Sequence, residues 1–174
     1  MQRAACGGKP GEGMAAVIAV SGVKNSGKTT LIEALLPLLS VRGLKTAVLK
    51  HDGHSFAADR EGTDTSRFLA AGAFGAAIFD GEKFQAVKRE TVDETTLIAL
   101  YPEADLILLE GFKWTAYPKI ELVRSGVSDK AVCDPKTLLA LVTDTETRVP
   151  GVPTYAFDDL EPLCDLLERE VRHA

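Results

Sequence analysis

Short, continuous apolar runs recur along this chain, set apart by glycine, proline and clusters of charge. Residues 15–21 (AAVIAVS), 46–50 (TAVLK), 105–109 (DLILL) and 138–142 (LLALV) are of this kind. Runs of that length with little alternation read as strands buried on both faces of a parallel sheet. Residues 119–124 (KIELVR) alternate and predict a further strand, and residues 153–157 predict a last one. Helical patterning lies between them. Residues 31–41 should be helical, with Pro37 kinking the helix or ending its first segment and Gly43 closing it. Residues 66–71 predict a short helix stopped by Gly72, and residues 91–101 a helix capped by Asp93 and closed by Pro102. Asp158 or Asp159 should cap a C-terminal helix over residues 160–172. Asp80-Gly81 between residues 76–79 and 82–87 is a hairpin signal. Strand–helix alternation with right-handed crossovers predicts an α/β three-layer sandwich, its central sheet mostly parallel, carrying an inserted β-hairpin.

The turn after the first run changes the picture most. Gly22-Val23-Lys24-Asn25-Ser26-Gly27-Lys28-Thr29 fits G-x-x-x-x-G-K-[ST], the Walker A phosphate loop of P-loop NTPases. A strand precedes it and a helix follows, so backbone N–H groups and the helix dipole would converge on one anion site. Gly22 and Gly27 supply backbone angles and close approach that a side chain would block. Lys28 would reach the β- and γ-phosphates of a nucleoside triphosphate, and the Thr29 hydroxyl would ligate Mg²⁺.

Composition narrows the rest. The chain has 174 residues, 45% hydrophobic and 26% charged, with a net charge of −5. That suits one nucleotide-binding domain over residues 14–174. It gives no electrostatic support for binding nucleic acid. No apolar run approaches the roughly 20 residues that span a bilayer. Residues 1–13 are glycine-rich without an apolar h-region, and are expected to be a disordered leader rather than a signal peptide. Cys6, Cys133 and Cys164 lack metal-type spacing and fit reduced thiols in a cytoplasm.

A phosphate loop needs a carboxylate partner at a neighbouring strand end. Glu110, after residues 106–109, is the candidate for that Walker B position, with Gly111 leaving space beside it. Asp52 ends the second strand and has two open readings, a metal or water ligand and a turn former in Asp52-Gly53. His51 and His54 lack a third ligand and read as loop residues. Asp144 ends the strand at residues 138–143; it either reads a guanine edge or begins a surface loop. Arg67 and Lys113 are the candidates for offsetting charge developed during hydrolysis. These residues leave open whether the base is guanine or adenine.

The ordered series GVKNSGKTTL (22–31), KHDGH (50–54), DREGTDTSR (59–67), LLEGFK (108–113) and PKIE (118–121) resembles the molybdopterin-guanine dinucleotide biosynthesis adapter family, MobB. The resemblance covers residues 17–144. It implies a GTP-binding protein that works with a molybdenum cofactor guanylyltransferase, binds GTP with Mg²⁺, hydrolyses it slowly at best and forms a homodimer. Carried over by position, Asn25, Ser26, Gly27, Lys28, Thr29 and Thr30 would contact the phosphates, with Glu110 near the metal and Asp52 a weaker transfer. The hairpin at Asp80-Gly81 could contribute strands to the dimer. A competing expectation is an ATP-dependent enzyme, either a small-molecule kinase or a ligase of the dethiobiotin-synthetase type.

Overall fold

The computed structural model describes residues 14–52 and 60–174. The chain forms two compact units, one made of the residues up to His51 together with Leu97–Ala174, the other of Asp52–Thr96. Eight strands and four α-helices are present among the described residues: β1 Ala16–Gly22, α1 Lys28–Val41, β2 Thr46–Lys50, α2 Asp64–Ala70, β3 Gly75–Phe79, β4 Phe84–Lys88, α3 Glu94–Ile98, β5 Leu106–Glu110, β6 Lys119–Val123, β7 Leu138–Thr143, β8 Thr154–Tyr155 and α4 Leu160–His173.

The larger unit is built on a six-stranded sheet in the order β2-β5-β1-β6-β7-β8, with every neighbouring pair parallel. The sheet thus matches the α/β, mostly parallel expectation. β2 follows β1 in sequence but lies one strand away, because β5 inserts between them. That position suits β5, whose Leu106, Ile107, Leu108 and Leu109 are all fully buried. One sheet face packs against α1 and α4 through Ile18, Val20, Leu31, Leu35, Leu39, Leu163 and Leu167. The opposite face buries Ala19, Ala47, Leu49, Ile107 and Leu109 under Leu97, Ile98, Phe112 and Tyr117.

Several local expectations need correcting. α1 begins at Lys28 and runs unbroken through Pro37. Pro37 is on the exposed side of the helix, where water can bond the Glu33 carbonyl that loses its partner. Gly43, at φ 82°, closes α1 as expected: its N–H bonds Ser40 and that of Leu44 bonds Leu39. Asp159 precedes α4, yet its carboxylate accepts from the Ala156 N–H behind it rather than from the helix. α3 is only five residues long. Asp93 caps it by accepting from the Thr96 N–H and from the Thr95 and Thr96 hydroxyls, and those bonds hold its carboxyl down at about 2. The alternation in β6 is absent from its burial, since all five residues are buried, Lys119 and Glu121 included.

In the smaller unit, β3 and β4 pair antiparallel from Gly75↔Lys88 to Phe79↔Phe84, so the hairpin is present. Its loop extends through Glu82 and Lys83, whose N–H groups both donate to the Asp80 carboxylate. Ile78, Phe79 and Phe84 on these strands are exposed.

Candidate functional site

The carboxyl ends of β1, β2, β5, β6 and β7 meet the N-terminus of α1 at one edge of the large sheet. The turn from β1 into α1 is tight because glycine permits it. At Gly22, φ is 137°, and a Cβ would stand 2.6 Å from the Leu122 carbonyl oxygen and 2.7 Å from Ser26 Oγ. Asn25 also has positive φ, at 65°, and Gly27 takes the left-handed N-cap position at φ 96°. No side chain caps α1 and no acid lies in its first turn, so the free N–H groups of that turn keep their positive end of the dipole. The Ser26 hydroxyl is buried and makes no hydrogen bond among the described residues.

Lys28 folds its ammonium back into this turn, donating to the Val23 carbonyl at 2.7 Å and the Gly22 carbonyl at 3.4 Å. Its pKa is lowered, chiefly by burial; Glu110 works against that, and the charges of Lys113 and Lys50 add to it. Lys50 and Lys113 thus add positive charge around Lys28 in a chain whose net charge is −5. Glu110, 8% exposed, accepts from the Thr29 hydroxyl at 2.9 Å and pairs with the Lys50 ammonium at 3.1 Å. Thr29 and Glu110 are 81 residues apart in the chain, yet their oxygens are within hydrogen-bond reach. A hydroxyl and a carboxylate together are the hard oxygen donors that a small divalent cation takes.

The turn after Glu110 holds that acid in place. The Gly111 N–H donates to the Val20 carbonyl at 2.9 Å, and the Ser21 hydroxyl bonds the Gly111 carbonyl. Gly111 and Phe112 both have positive φ, 109° and 50°. This reversal leads straight to Lys113, whose ammonium lies 5.4 Å from the exposed Trp114 ring.

The structure thus brings Gly22, Asn25, Ser26, Gly27, Lys28, Thr29, Thr30 and Glu110 to one place. Asp144 ends β7 at the same sheet edge, with one carboxylate oxygen accepting the Ser125 N–H at 2.6 Å. Asp52 belongs to the smaller unit, as does Arg67, which pairs with Asp64 at 3.4 Å. His54 lies outside the described residues. No cluster of three or more His, Cys, Asp or Glu that could hold a metal is found among the described residues. Lys50 had no role assigned from sequence. A lysine ending a strand is common, and only the β2–β5 pairing that sets Lys50 opposite Glu110 reveals its contact.

Comparison with known proteins decides the family. Residues 17–144 match the family model for molybdopterin guanine dinucleotide synthesis protein B, MobB. The chain belongs to the MobB family. It is 35% identical over 150 residues to a probable molybdopterin-guanine dinucleotide biosynthesis adapter protein of Bacillus subtilis, covering 82% of this chain and 86% of that one. It is 30% identical over 167 residues to the adapter protein of that name in Escherichia coli, covering 90% and 94%. The crystal structure of Bacillus subtilis MobB superposes with a TM-score of 0.72 at 33% identity, covering 89% of this chain and 97% of that one. The fold and the family resemblance read from the motifs both stand. No described helix is long and apolar enough to cross a membrane.

Proposed function

We propose that this MobB-family chain binds GTP with Mg²⁺ on its phosphate loop and acts as an adapter to the guanylyltransferase that completes the molybdenum cofactor. The 2.9 Å contact between Thr29 and Glu110, beside the uncapped start of α1, carries the nucleotide reading. Named relatives described as adapter proteins carry the pathway reading.

The loop N–H groups from Asn25 to Thr30 would hold the phosphates. Lys28 would leave the Gly22 and Val23 carbonyls for the β- and γ-phosphate oxygens, where its charge is better matched. Thr29 and Glu110 would hold Mg²⁺, whose charge when bound there offsets that of the phosphates. Asp52 is the further candidate for a metal-bound or attacking water, and Asp144 for the guanine edge. Glu110, already engaged by Thr29 and Lys50, is a poor base for activating water, so hydrolysis is slow. Residues 14–174 carry the nucleotide-binding function, in the cytoplasm. A homodimer is formed through the β3–β4 hairpin, whose exposed Ile78, Phe79 and Phe84 give it an apolar surface to cover.

Calorimetric titration with GTP and with ATP, each with Mg²⁺, tests this reading. Tighter binding of GTP is expected. Lys28→Ala should weaken it by about a hundredfold or more, since a charge-assisted contact to phosphate is lost. Retained affinity in that variant would sink the loop assignment, and an ATP preference would turn the reading toward a kinase or ligase.

A further inference from the structure

A guanidinium that forms no ion pair among the described residues lies against the phosphate loop. Arg124 leaves the end of β6, and its Cζ stands 4.9 Å from the centroid of the Phe157 ring, just beyond β8. The two side chains bracket Gly27. A Cβ there would lie 2.8 Å from Arg124 Nη1 and 3.7 Å from Phe157 Cε1. Gly27 therefore has a second reason to be glycine besides its positive φ: Arg124 occupies the space a side chain would need. The backbone behind Arg124 is braced as well. Its carbonyl accepts from the Val127 and Ser128 N–H groups, and the next residue, Ser125, donates to Asp144.

The sheet order divides the site at β1. β5 and β2, with Glu110 and Lys50, lie on one side; β6, β7 and β8, leading to Arg124, Asp144 and Phe157, lie on the other. A triphosphate whose terminal end meets Thr29, Glu110 and Lys50 has its nucleoside end directed to the opposite side. We propose that Arg124, backed by Phe157, is a nucleotide-binding residue that grips the nucleoside half of the ligand through the plane of its guanidinium. Arginine suits this task because its flat, weakly hydrated cation stacks on aromatic faces, the Phe157 ring on one side and a purine on the other. Lysine would retain the charge and lose the plane.

This inference rests on the GTP reading above, and the test separates the two. GTP affinity is measured for the wild type, Arg124→Ala and Arg124→Lys, and inorganic tripolyphosphate is scored by its displacement of GTP up to high concentration. Both substitutions should weaken GTP by about tenfold while the intrinsic tripolyphosphate affinity changes less than about twofold. Parallel losses for both ligands, full rescue by lysine, or unchanged GTP affinity would each overturn the nucleoside role. Thermal melting checks that each variant is folded, and Arg124→Lys keeps the test usable should the alanine variant fail to fold. Should the wild type bind GTP no better than ATP, or not at all, the proposed function fails and not merely this residue's part in it.

Discussion

Two buried glutamates flank β1 at nearly the same level. Glu110 of β5 sits opposite Val20, and Glu121 of β6 sits opposite Ser21. Burial hardly separates them, at 8% and 1% exposure. Their partners do. Glu110 is held by two side chains, the Thr29 hydroxyl and the Lys50 ammonium, either of which can turn away when something better arrives. Glu121 is held by backbone, accepting from the Val132 N–H at 2.6 Å and the Cys133 N–H at 3.1 Å. It fastens the loop before the 3-10 turn at Pro135–Thr137 onto the sheet. The neighbouring Lys119 does the same for the preceding loop, donating to the Thr115 carbonyl at 2.6 Å. A buried carboxylate gripped by exchangeable side chains is ready to bind, whereas one gripped by amides is a staple.

The contrast breaks most visibly in stability. Glu121→Ala should cost roughly 2–4 kcal/mol in urea unfolding, because it strands the buried Cys133 N–H and the part-buried Val132 N–H. Glu110→Ala should cost less than half as much, and equal losses would erase the distinction. Ligand binding should rank the pair the other way. Glu110→Gln is expected to weaken the Mg²⁺ dependence of GTP binding by about tenfold, as loss of a metal-ligand charge commonly does. Glu121→Gln should leave the Mg²⁺ titration where it was, and a shift there would show the staple reaching the metal.

Lys28 sharpens the same point from the cationic side. Its folded pKa lies below the ordinary lysine value of 10.5, chiefly through burial, so the native state binds fewer protons than the unfolded chain as pH nears 10.5 from below. Stability from this group therefore rises with pH across that window, and at neutral pH the buried charge is a liability. Lys28→Met should raise the melting temperature of the ligand-free protein by about 1–3 °C while abolishing GTP binding. A fall in melting temperature would mean that the bonds to Val23 and Gly22 outweigh the burial cost. The smallest effect concerns Cys133, whose thiol is pushed up to about 12 by burial and then by Glu121. In a Cys6→Ser background, a thiol reagent at pH 8 should leave native Cys133 almost unreacted, and Glu121→Gln should speed the reaction modestly. Rapid labelling of Cys133 in the native protein would contradict the burial.

Much of this was legible beforehand, for identifiable reasons. The apolar run of β5 and the glycines of the phosphate loop are local signals, and local physics decides them. Glu110 was legible because an acid ending a buried strand has few other uses. Lys50 and Arg124 were not, since each depends on which strand lies beside which, and β5 entering between β1 and β2 is a tertiary outcome. The persistence of α1 through Pro37 depended on that residue falling on the solvent side. In β6, the alternation of Lys119, Ile120 and Glu121 suggested one wet face. Both charged side chains instead found backbone partners indoors.

α1 covers Lys28–Val41, while the helix it packs against, α4, covers Leu160–His173. Leu31, Leu35 and Leu39 share their cluster with Leu163 and Leu167, and Arg42 at the end of α1 pairs with Glu161, Asp165 and Glu168 of α4. During synthesis the apolar side of α1 must wait, uncovered, until α4 has left the ribosome. The helix that begins at the phosphate loop is thus made well before its partner and is sealed only when residues 160–173 emerge.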